Sequence, residues 1–133
     1  MADEEVRWKQ RFVNFRTSVA DLREALRTEE PNKLERLGII RIFELCYELA
    51  WKTLQDYLRE IGYVDVAGPK PVIRHAFEAG LIGDGELWAQ MHRARNESTH
   101  VYNPEKAQEL EAEIREGFAE PLSRLAADLE AKL

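Results

Sequence analysis

The stretch RARNESTHVY, residues 93–102, gathers the side chains of this chain that are best suited to chemistry. Arg95 offers a planar fork of N–H donors that matches the oxygens of a phosphate group. Histidine is the usual side chain for general acid–base chemistry, so the His100 imidazole can take a proton from a ribose hydroxyl or return one to a leaving oxygen. Asn96 could orient either the phosphate or the imidazole. Such a set could cleave RNA without a metal ion, because an RNA strand carries its own nucleophile in the 2′-hydroxyl.

The same stretch also has a purely structural interpretation. An arginine and a histidine near the C-terminus of a helix interact favourably with the helix dipole and often have no other role. On a continuous helix, Asn96 and His100 are four residues apart and share a face. Arg95 and Tyr102 are about two turns apart and align if the helix extends that far. Spacing alone leaves both interpretations open and favours the structural one.

The composition limits the partners of this chain. Its 133 residues are 44% hydrophobic and 33% charged, which is enough apolar material for the core of one domain. The formal net charge of −6 argues against a stand-alone binder of duplex DNA, because each phosphate contact requires a cation. The sequence also contains no apolar run of the length that a membrane span requires, so no membrane partner is expected.

The cysteine and the histidines bear on the compartment and on metal binding. The single cysteine, Cys46, lies in the apolar run IFELCYELAW, is predicted to be buried, and cannot form an internal disulfide. A reducing, cytoplasmic location is therefore the expectation. His75, His92 and His100 have no Cys or His neighbour at metal-ligand spacing, so neither a metal nor a cofactor is expected.

Hydrophobic periodicity predicts helices along the whole chain and no strand. The first helix, over residues 6–27, places its apolar side chains on one stripe by alternating steps of three and four. Further helices are predicted over 33–61, from Pro69 to Ala79, from about Gly85 to His100, and from Pro104 onward. The last of these contains Pro121, which should kink it.

The predicted second helix has a broad apolar surface, which indicates a central position, and one narrow polar ridge. The ridge residues step by three and four: Arg41, Glu44, Glu48, Lys52, Gln55 and Arg59. Glu48 and Lys52 stand in the favourable order for an i,i+4 ion pair. A ridge of this kind is most often a solvated face.

Together these patterns predict an all-α fold, an antiparallel up-and-down bundle of about five helices, with residues 1–133 forming a single domain. The stripe of the first helix is richer in aromatic side chains than an exposed face tolerates. A homodimer that buries part of that surface is therefore a reasonable expectation.

Residues 95–102, RNESTHVY, resemble the Arg-Asn-x-x-x-His signature of the HEPN superfamily. More narrowly, they resemble the Arg-x-x-x-x-His-x-Tyr form of HEPN proteins that are paired with minimal nucleotidyltransferases. The segments IRIFELCYELAWKTLQDYL (40–58) and GPKPVIRHAFEAGLIGDGELWAQMHRARNESTHVY (68–102) are similar to the nucleotidyltransferase substrate-binding proteins. The last helix matches that family only in its pattern, and its Pro121 departs from it.

The resemblance implies a homodimeric helical bundle in which the signature helices of two subunits form a shared cleft. It implies a separate minimal nucleotidyltransferase as partner, in a heterotetramer, with RNA or a nucleotide as ligand. In the toxin–antitoxin branch, the HEPN subunit resembles a metal-independent endoribonuclease that its partner silences by attaching AMP to a tyrosine. Carried over to this chain, the catalytic residues are Arg95 and His100, with Asn96 assisting, and the modified residue is Tyr102. Glu44 or Glu48 would line the cleft.

The sequence leaves three functions open. The first is a ribonuclease toxin controlled by nucleotidylation of Tyr102. The second is a non-catalytic module that presents a substrate or a nucleotide to the transferase; two chains at −6 give a dimer at −12, which is poor for gripping a long RNA. In the third, Arg95 and His100 belong to a hydrogen-bond network at a dimer interface. We favour a HEPN subunit that works with a nucleotidyltransferase, and among its activities we slightly favour the ribonuclease.

Overall fold

The computed structural model describes residues 2–101 and 103–133, with side chains from Val6 onward. Within these residues it confirms an all-helical bundle without strands. The helices are α1 (Ala2–Ala25), α2 (Lys33–Glu60), α3 (Pro69–Glu78), α4 (Gly85–Ser98), α5 (Pro104–Glu113) and α6 (Ala119–Glu130). A π-helical segment, Ile114–Phe118, joins the last two. None of the described helices combines the length and the apolar character needed to cross a membrane.

The core is built around α2, as its broad apolar surface predicts, and α1 packs along it. The apolar stripe of α1 is buried: Trp8, Phe12, Phe15, Val19 and Leu22. Because these aromatic side chains are covered within the protomer, they offer no surface to a dimer, and the sequence-based reason for a dimer interface on this stripe was wrong. Cys46 on α2 is buried as predicted, and burial raises the pKa of its thiol to about 11.

The predicted capping and breaking residues define several helix ends. Asn32 and Glu35 form a capping box at the start of α2, with two reciprocal hydrogen bonds of 2.9 Å. The side chains of Asp84 and Asn103 cap α4 and α5 in the same way, each accepting from a backbone N–H of the first turn. Gly80 follows α3 with a φ of +76°, a left-handed conformation that glycine adopts without strain.

The predicted disturbance at Pro121 takes the form of the π-helical segment that precedes it. Pro121 has no N–H and cannot bond to the carbonyl of Gly117, four residues earlier. Within the segment, the N–H of Ala119 donates to the carbonyl of Ile114, five residues earlier. One extra residue in this turn is the widening that defines a π-bulge. The helical stretch from Pro104 thereby continues to Glu130 without a break.

A charged network ties α5 to α2 and to the connection between α1 and α2. The Glu111 carboxylate accepts hydrogen bonds from Arg36 Nε at 2.8 Å and from Arg115 Nε at 2.7 Å. Arg115 also donates to the carbonyl oxygens of Leu26 and Thr28, at 2.8 and 2.5 Å. Burial would raise the pKa of Glu111, but the hydrogen bonds from the two arginines lower it below its ordinary value.

The first prediction concerns this network. Arg115→Ala removes one partner of Glu111 and leaves two carbonyls of the α1–α2 connection without their donor. We expect the free energy of unfolding, measured by urea denaturation at pH 7, to fall by about 2 kcal/mol. The control is Arg16→Ala, which removes an exposed pair with Glu130 and should cost less than about 1 kcal/mol. Equal losses in the two variants would contradict the assignment.

The same network gives stability a pH dependence of known sign. Because the pKa of Glu111 is lowered on folding, its contribution is fully present at neutral pH and disappears as the pH falls through the acidic range. The difference in unfolding free energy between the wild type and Glu111→Gln should therefore shrink with acidification.

Candidate functional site

The buried face of α4 decides where the signature residues point. Trp88, Met91 and Ala94 recur at steps of three and face the core. Arg95 follows directly after this stripe, and its side chain is directed toward α2, where it is 20% exposed. After Arg95, the last residue of the helix, Ser98, is buried as well.

Two carboxylates of α2 hold the Arg95 guanidinium. Arg95 Nη1 lies 3.5 Å from Glu44 Oε2, and Arg95 Nε lies 3.4 Å from Glu48 Oε1. Glu48 therefore pairs with α4 across the bundle, and the predicted helical pair with Lys52 was wrong. The tertiary contact prevails because a guanidinium removed from most of its water needs a compensating charge, whereas an i,i+4 pair on an exposed face contributes only a few tenths of a kcal/mol.

Glu44 lies beneath the arginine. It is 8% exposed, so the interpretation of its ridge as a solvated face was wrong at this position. Its Oε2 atom is 2.5 Å from Ser98 Oγ, and its Oε1 atom is 3.6 Å from Arg41 Nη1. These contacts make Glu44 a fixed anchor for the C-terminal end of α4.

Asn96 lies about 100° further around α4 than Arg95 and belongs to a chain of three hydrogen-bonded groups. Asn96 Nδ2 lies 3.2 Å from His92 Nε2, and His92 Nδ1 lies 2.9 Å from Tyr47 Oη. An amide Nδ2 can only donate, so Nε2 accepts, and the proton of a neutral imidazole sits on Nδ1 and is donated to the phenol oxygen. Asn96 and His92 also line a groove between α3 and α4.

The electrostatic surroundings keep this chain of groups uncharged. Burial raises the pKa of the Tyr47 phenol far above its usual range, and the Glu48 carboxylate adds to the rise. Burial lowers the pKa of His92, and the Lys70 cation acts in the same direction, while Glu48 opposes both. At neutral pH, both the phenol and the imidazole are therefore neutral, and they orient the Asn96 amide through directional hydrogen bonds.

His100 lies past the end of α4 and is exposed. Its N–H and that of Val101 bond to carbonyls three residues earlier, at Glu97 and Ser98, so a turn replaces the helix that was predicted to continue to residue 100. The expected shared face of Asn96 and His100 was therefore wrong, because the helical period stops before His100.

The cavity beside His100 is acidic. It has a volume of about 350 Å³ and lies between the end of α4 and α5. Glu97, Glu109 and Glu113 line it together with Lys106. Burial raises the pKa of Glu113, and the two neighbouring carboxylates raise it further.

Within one protomer, the predicted catalytic residues therefore have three different surroundings. Arg95 contacts α2, Asn96 faces the groove next to α3, and His100 lines the acidic cavity next to α5. The predicted modification site, Tyr102, lies outside the described residues. Among the residues that are described, no three His, Cys, Asp or Glu side chains are grouped as a metal site would require.

Sequence reasoning missed three residues of this site: Tyr47, His92 and Ser98. The i,i+4 spacing of His92 and Asn96 was a usable signal, since side chains four apart on a helix meet. Tyr47 and Ser98 gave no such signal, because each contacts a residue on another helix that is more than forty positions away.

Comparison with known proteins identifies the family. The family model described as "Nucleotidyltransferase substrate binding protein like" matches residues 10–131. The match spans most of the chain, so the chain belongs to this family, and the resemblance seen in residues 40–58 and 68–102 is confirmed.

Individual relatives agree with this membership. A Haemophilus influenzae (strain Rd) protein named "Probable ribonuclease HepT" is 37% identical over 81 residues, which are 58% of this chain and 56% of the relative. The match thus spans little more than half of that relative. A crystal structure from Thermus thermophilus superposes with a TM-score of 0.75 and 32% identity, over 89% of this chain and 97% of the other.

A second solved structure carries a functional description. It is a Haemophilus influenzae protein whose structure is described as the fold of a substrate binding domain of a nucleotidyltransferase. It superposes with a TM-score of 0.68 and 26% identity, covering 92% of this chain and 96% of the other.

The second prediction tests the surroundings of His92. An NMR titration of the imidazole should give a pKa below the ordinary histidine value. Lys70→Gln should raise this pKa because it removes a repelling cation, and Glu48→Gln should lower it further because it removes an attracting carboxylate. Lys33→Gln, at an exposed lysine whose charge does not act on His92, is the control and should leave the midpoint unchanged. Shifts of the opposite sign would show that His92 is not placed as described.

Proposed function

We propose that this chain is the HEPN-type subunit of a two-component system and acts as an antiparallel-bundle homodimer with a separate minimal nucleotidyltransferase. The dimer cleaves RNA without a metal ion, using Arg95 and His100 with the assistance of Asn96. Transfer of AMP to Tyr102 by the partner silences it. Family membership and the relative named as a ribonuclease support this proposal.

The observation that carries the proposal is the held arginine followed by an exposed histidine. Glu44 and Glu48 fix the Arg95 guanidinium at the end of α4, and His100 stands in the turn immediately beyond. A guanidinium in a fixed position can bind a phosphodiester through paired N–H donors. An exposed imidazole can exchange protons with the substrate and with water.

The reaction then needs two proton transfers. A neutral His100 takes the proton of a ribose 2′-hydroxyl, whose oxygen attacks the neighbouring phosphorus and displaces the 5′-oxygen of the next nucleotide. That leaving oxygen takes up a proton, and Arg95 stabilises the charge that develops on the phosphate oxygens. In the proposed dimer, the His100 residues of two protomers supply one base and one acid across a shared cleft.

Silencing follows from charge. The phenol oxygen of Tyr102 attacks the α-phosphorus of ATP, loses its proton and displaces pyrophosphate. The AMP group adds a negative phosphate two residues from His100. An RNA phosphate is repelled from the same place, and cleavage stops.

A second candidate function has its own supporting observation. The cavity beside His100 is lined by Glu97, Glu109 and Glu113, and such a surface repels a polyanion. This acidity favours a non-catalytic subunit that presents a nucleotide to the transferase, with Arg95 as the phosphate ligand. In that case nucleotide affinity, measured with and without the transferase, falls in Arg95→Ala, and an unchanged affinity counts against this function.

The third prediction is cleavage of an RNA oligonucleotide by the purified, unmodified protein in the presence of EDTA. His100→Ala should lower the rate by about 10² to 10⁴-fold, the usual share of general acid–base catalysis. His75→Ala, which changes a histidine on α3 outside the signature, is the matched control and should retain activity. A folded wild-type dimer that does not cut RNA would remove the ribonuclease function.

The fourth prediction concerns modification. Co-expression with a small nucleotidyltransferase partner should add the mass of one or more AMP groups to the intact chain and abolish cleavage. Tyr102→Phe lacks the phenol oxygen and should acquire no AMP while keeping its ribonuclease activity. An AMP group found on another residue in Tyr102→Phe would overturn the assignment of the modified tyrosine.

A further inference from the structure

The groove between α3 and α4 is a second feature of the site, and of its lining the proposed reaction uses Asn96 alone. Its volume is about 640 Å³, which is within the range of small-molecule sites. One wall is formed by the His92 and Asn96 pair, so the groove begins at a proposed site residue. It lies on the side of α4 opposite to the acidic cavity.

The lining of this groove contains more positive than negative side chains, in contrast to the whole chain. Lys70, Arg74 and Arg93 line it together with one carboxylate, Glu78. Three positive side chains and one negative line the groove, while the carboxylates that pair with Arg74 and Arg93 lie outside its lining. A local positive patch on an acidic protein is the feature that attracts a phosphate group to one place.

The cations of the groove are available to a ligand. Lys70 is exposed, and no carboxylate of the described residues pairs with it. Arg74 lies 3.3 Å from Asp65 and Arg93 lies 3.6 Å from Glu86, and all four side chains are more than half exposed. Exposed pairs of this kind contribute little to stability, so a phosphate can replace the carboxylates at small cost.

The groove also has an aromatic wall. Phe77 is 52% exposed, which is unusual because the aromatic side chains of α1 are buried. Gly85 lies beside the ring: a Cβ at this position would be 3.5 Å from two ring carbons, and glycine leaves that space open. An exposed ring next to cations is the combination that single-stranded nucleic-acid sites use for base stacking and phosphate binding.

We propose that the α3–α4 groove binds a nucleoside monophosphate unit, with its base against Phe77 and its phosphate among Lys70, Arg74 and Arg93. The inference rests on the proposed function, since it supplies the nucleotide site of the same RNA-handling surface. The unit is either one nucleotide of a single-stranded RNA or a free nucleotide. In both cases the His92 and Asn96 pair, which forms one wall of the groove, is available to hydrogen-bond with the ligand.

The experiment measures binding in the full-length His100→Ala background, so that cleavage does not consume the probe. The two probes are a fluorescent single-stranded RNA oligonucleotide, followed by anisotropy, and AMP, followed by calorimetry. Phe77→Ala should weaken binding about 5- to 150-fold, the effect of losing one base–aromatic stack. Phe77→Tyr keeps the ring and should restore binding.

A second variant tests the phosphate contact. Lys70→Gln should weaken RNA binding and reduce the slope of log K against log salt by about 0.7, the value for one lost phosphate contact on a single strand. The matched control, Lys33→Gln, changes an exposed lysine in the first turn of α2 and should alter neither quantity.

The outcomes separate this inference from the ribonuclease proposal. If Phe77→Ala and Lys70→Gln weaken the binding of RNA but not of AMP, the groove binds one nucleotide of a strand. If they weaken the binding of both probes, the groove also binds a free nucleotide. If the affinities for RNA and AMP are unchanged in both Phe77→Ala and Lys70→Gln, the proposal that the groove binds a nucleotide is overturned, even if the wild type cuts RNA. If binding depends on Phe77 but the wild-type protein does not cut RNA, the nucleotide-binding proposal is supported and only the ribonuclease proposal is removed.

Discussion

The contact on which this site depends is the Arg95 guanidinium between Glu44 and Glu48. A mostly covered arginine without carboxylates would carry an uncompensated charge, and a covered glutamate without an arginine would do the same. Because α2 is the central helix of the bundle, this contact joins the end of α4 to the element that packs against most of the other helices. The buried Ser98 hydroxyl, close to Glu44, completes the attachment.

The same contact determines how negative charge is distributed around the site. Two carboxylates already neutralise the single guanidinium, so Arg95 alone adds little attraction for a distant polyanion. The cavity beside His100 contributes more carboxylates and weakens the attraction for a polyanion further. Long-range attraction of a phosphate must therefore come from other cations, either those of the α3–α4 groove or those that a second protomer brings to a shared cleft. In the proposed reaction, Arg95 would act at short range, where its geometry matters more than the net charge around it.

What the sequence could predict follows the range of the interactions involved. The helices and the central position of α2 depend on local periodicity, and both were predicted. The end of α4 was predicted two residues too late. It depends on the turn hydrogen bonds of His100 and Val101, and no residue type near them predicts those bonds. The partner of Glu48 was missed because Lys52, four residues away, looks equally suitable until the bundle brings Arg95 closer. The residues proposed for catalysis could therefore be recognised from the signature, whereas the residues that contact them could not.

The position of His100 beyond the helix suggests how activity and control can be separated. A residue inside α4 moves only if the helix moves, and the attachment of Arg95 to α2 resists that. His100 is in a turn between α4 and Asn103, outside the helix that carries Arg95. Under the proposed function, modification of Tyr102, two positions after His100 in the sequence, would act on the histidine first and leave the arginine in place. Under the proposed function, a phosphate-binding group on the helix and a proton-transferring group on the turn would let one covalent change stop the reaction without unfolding the site.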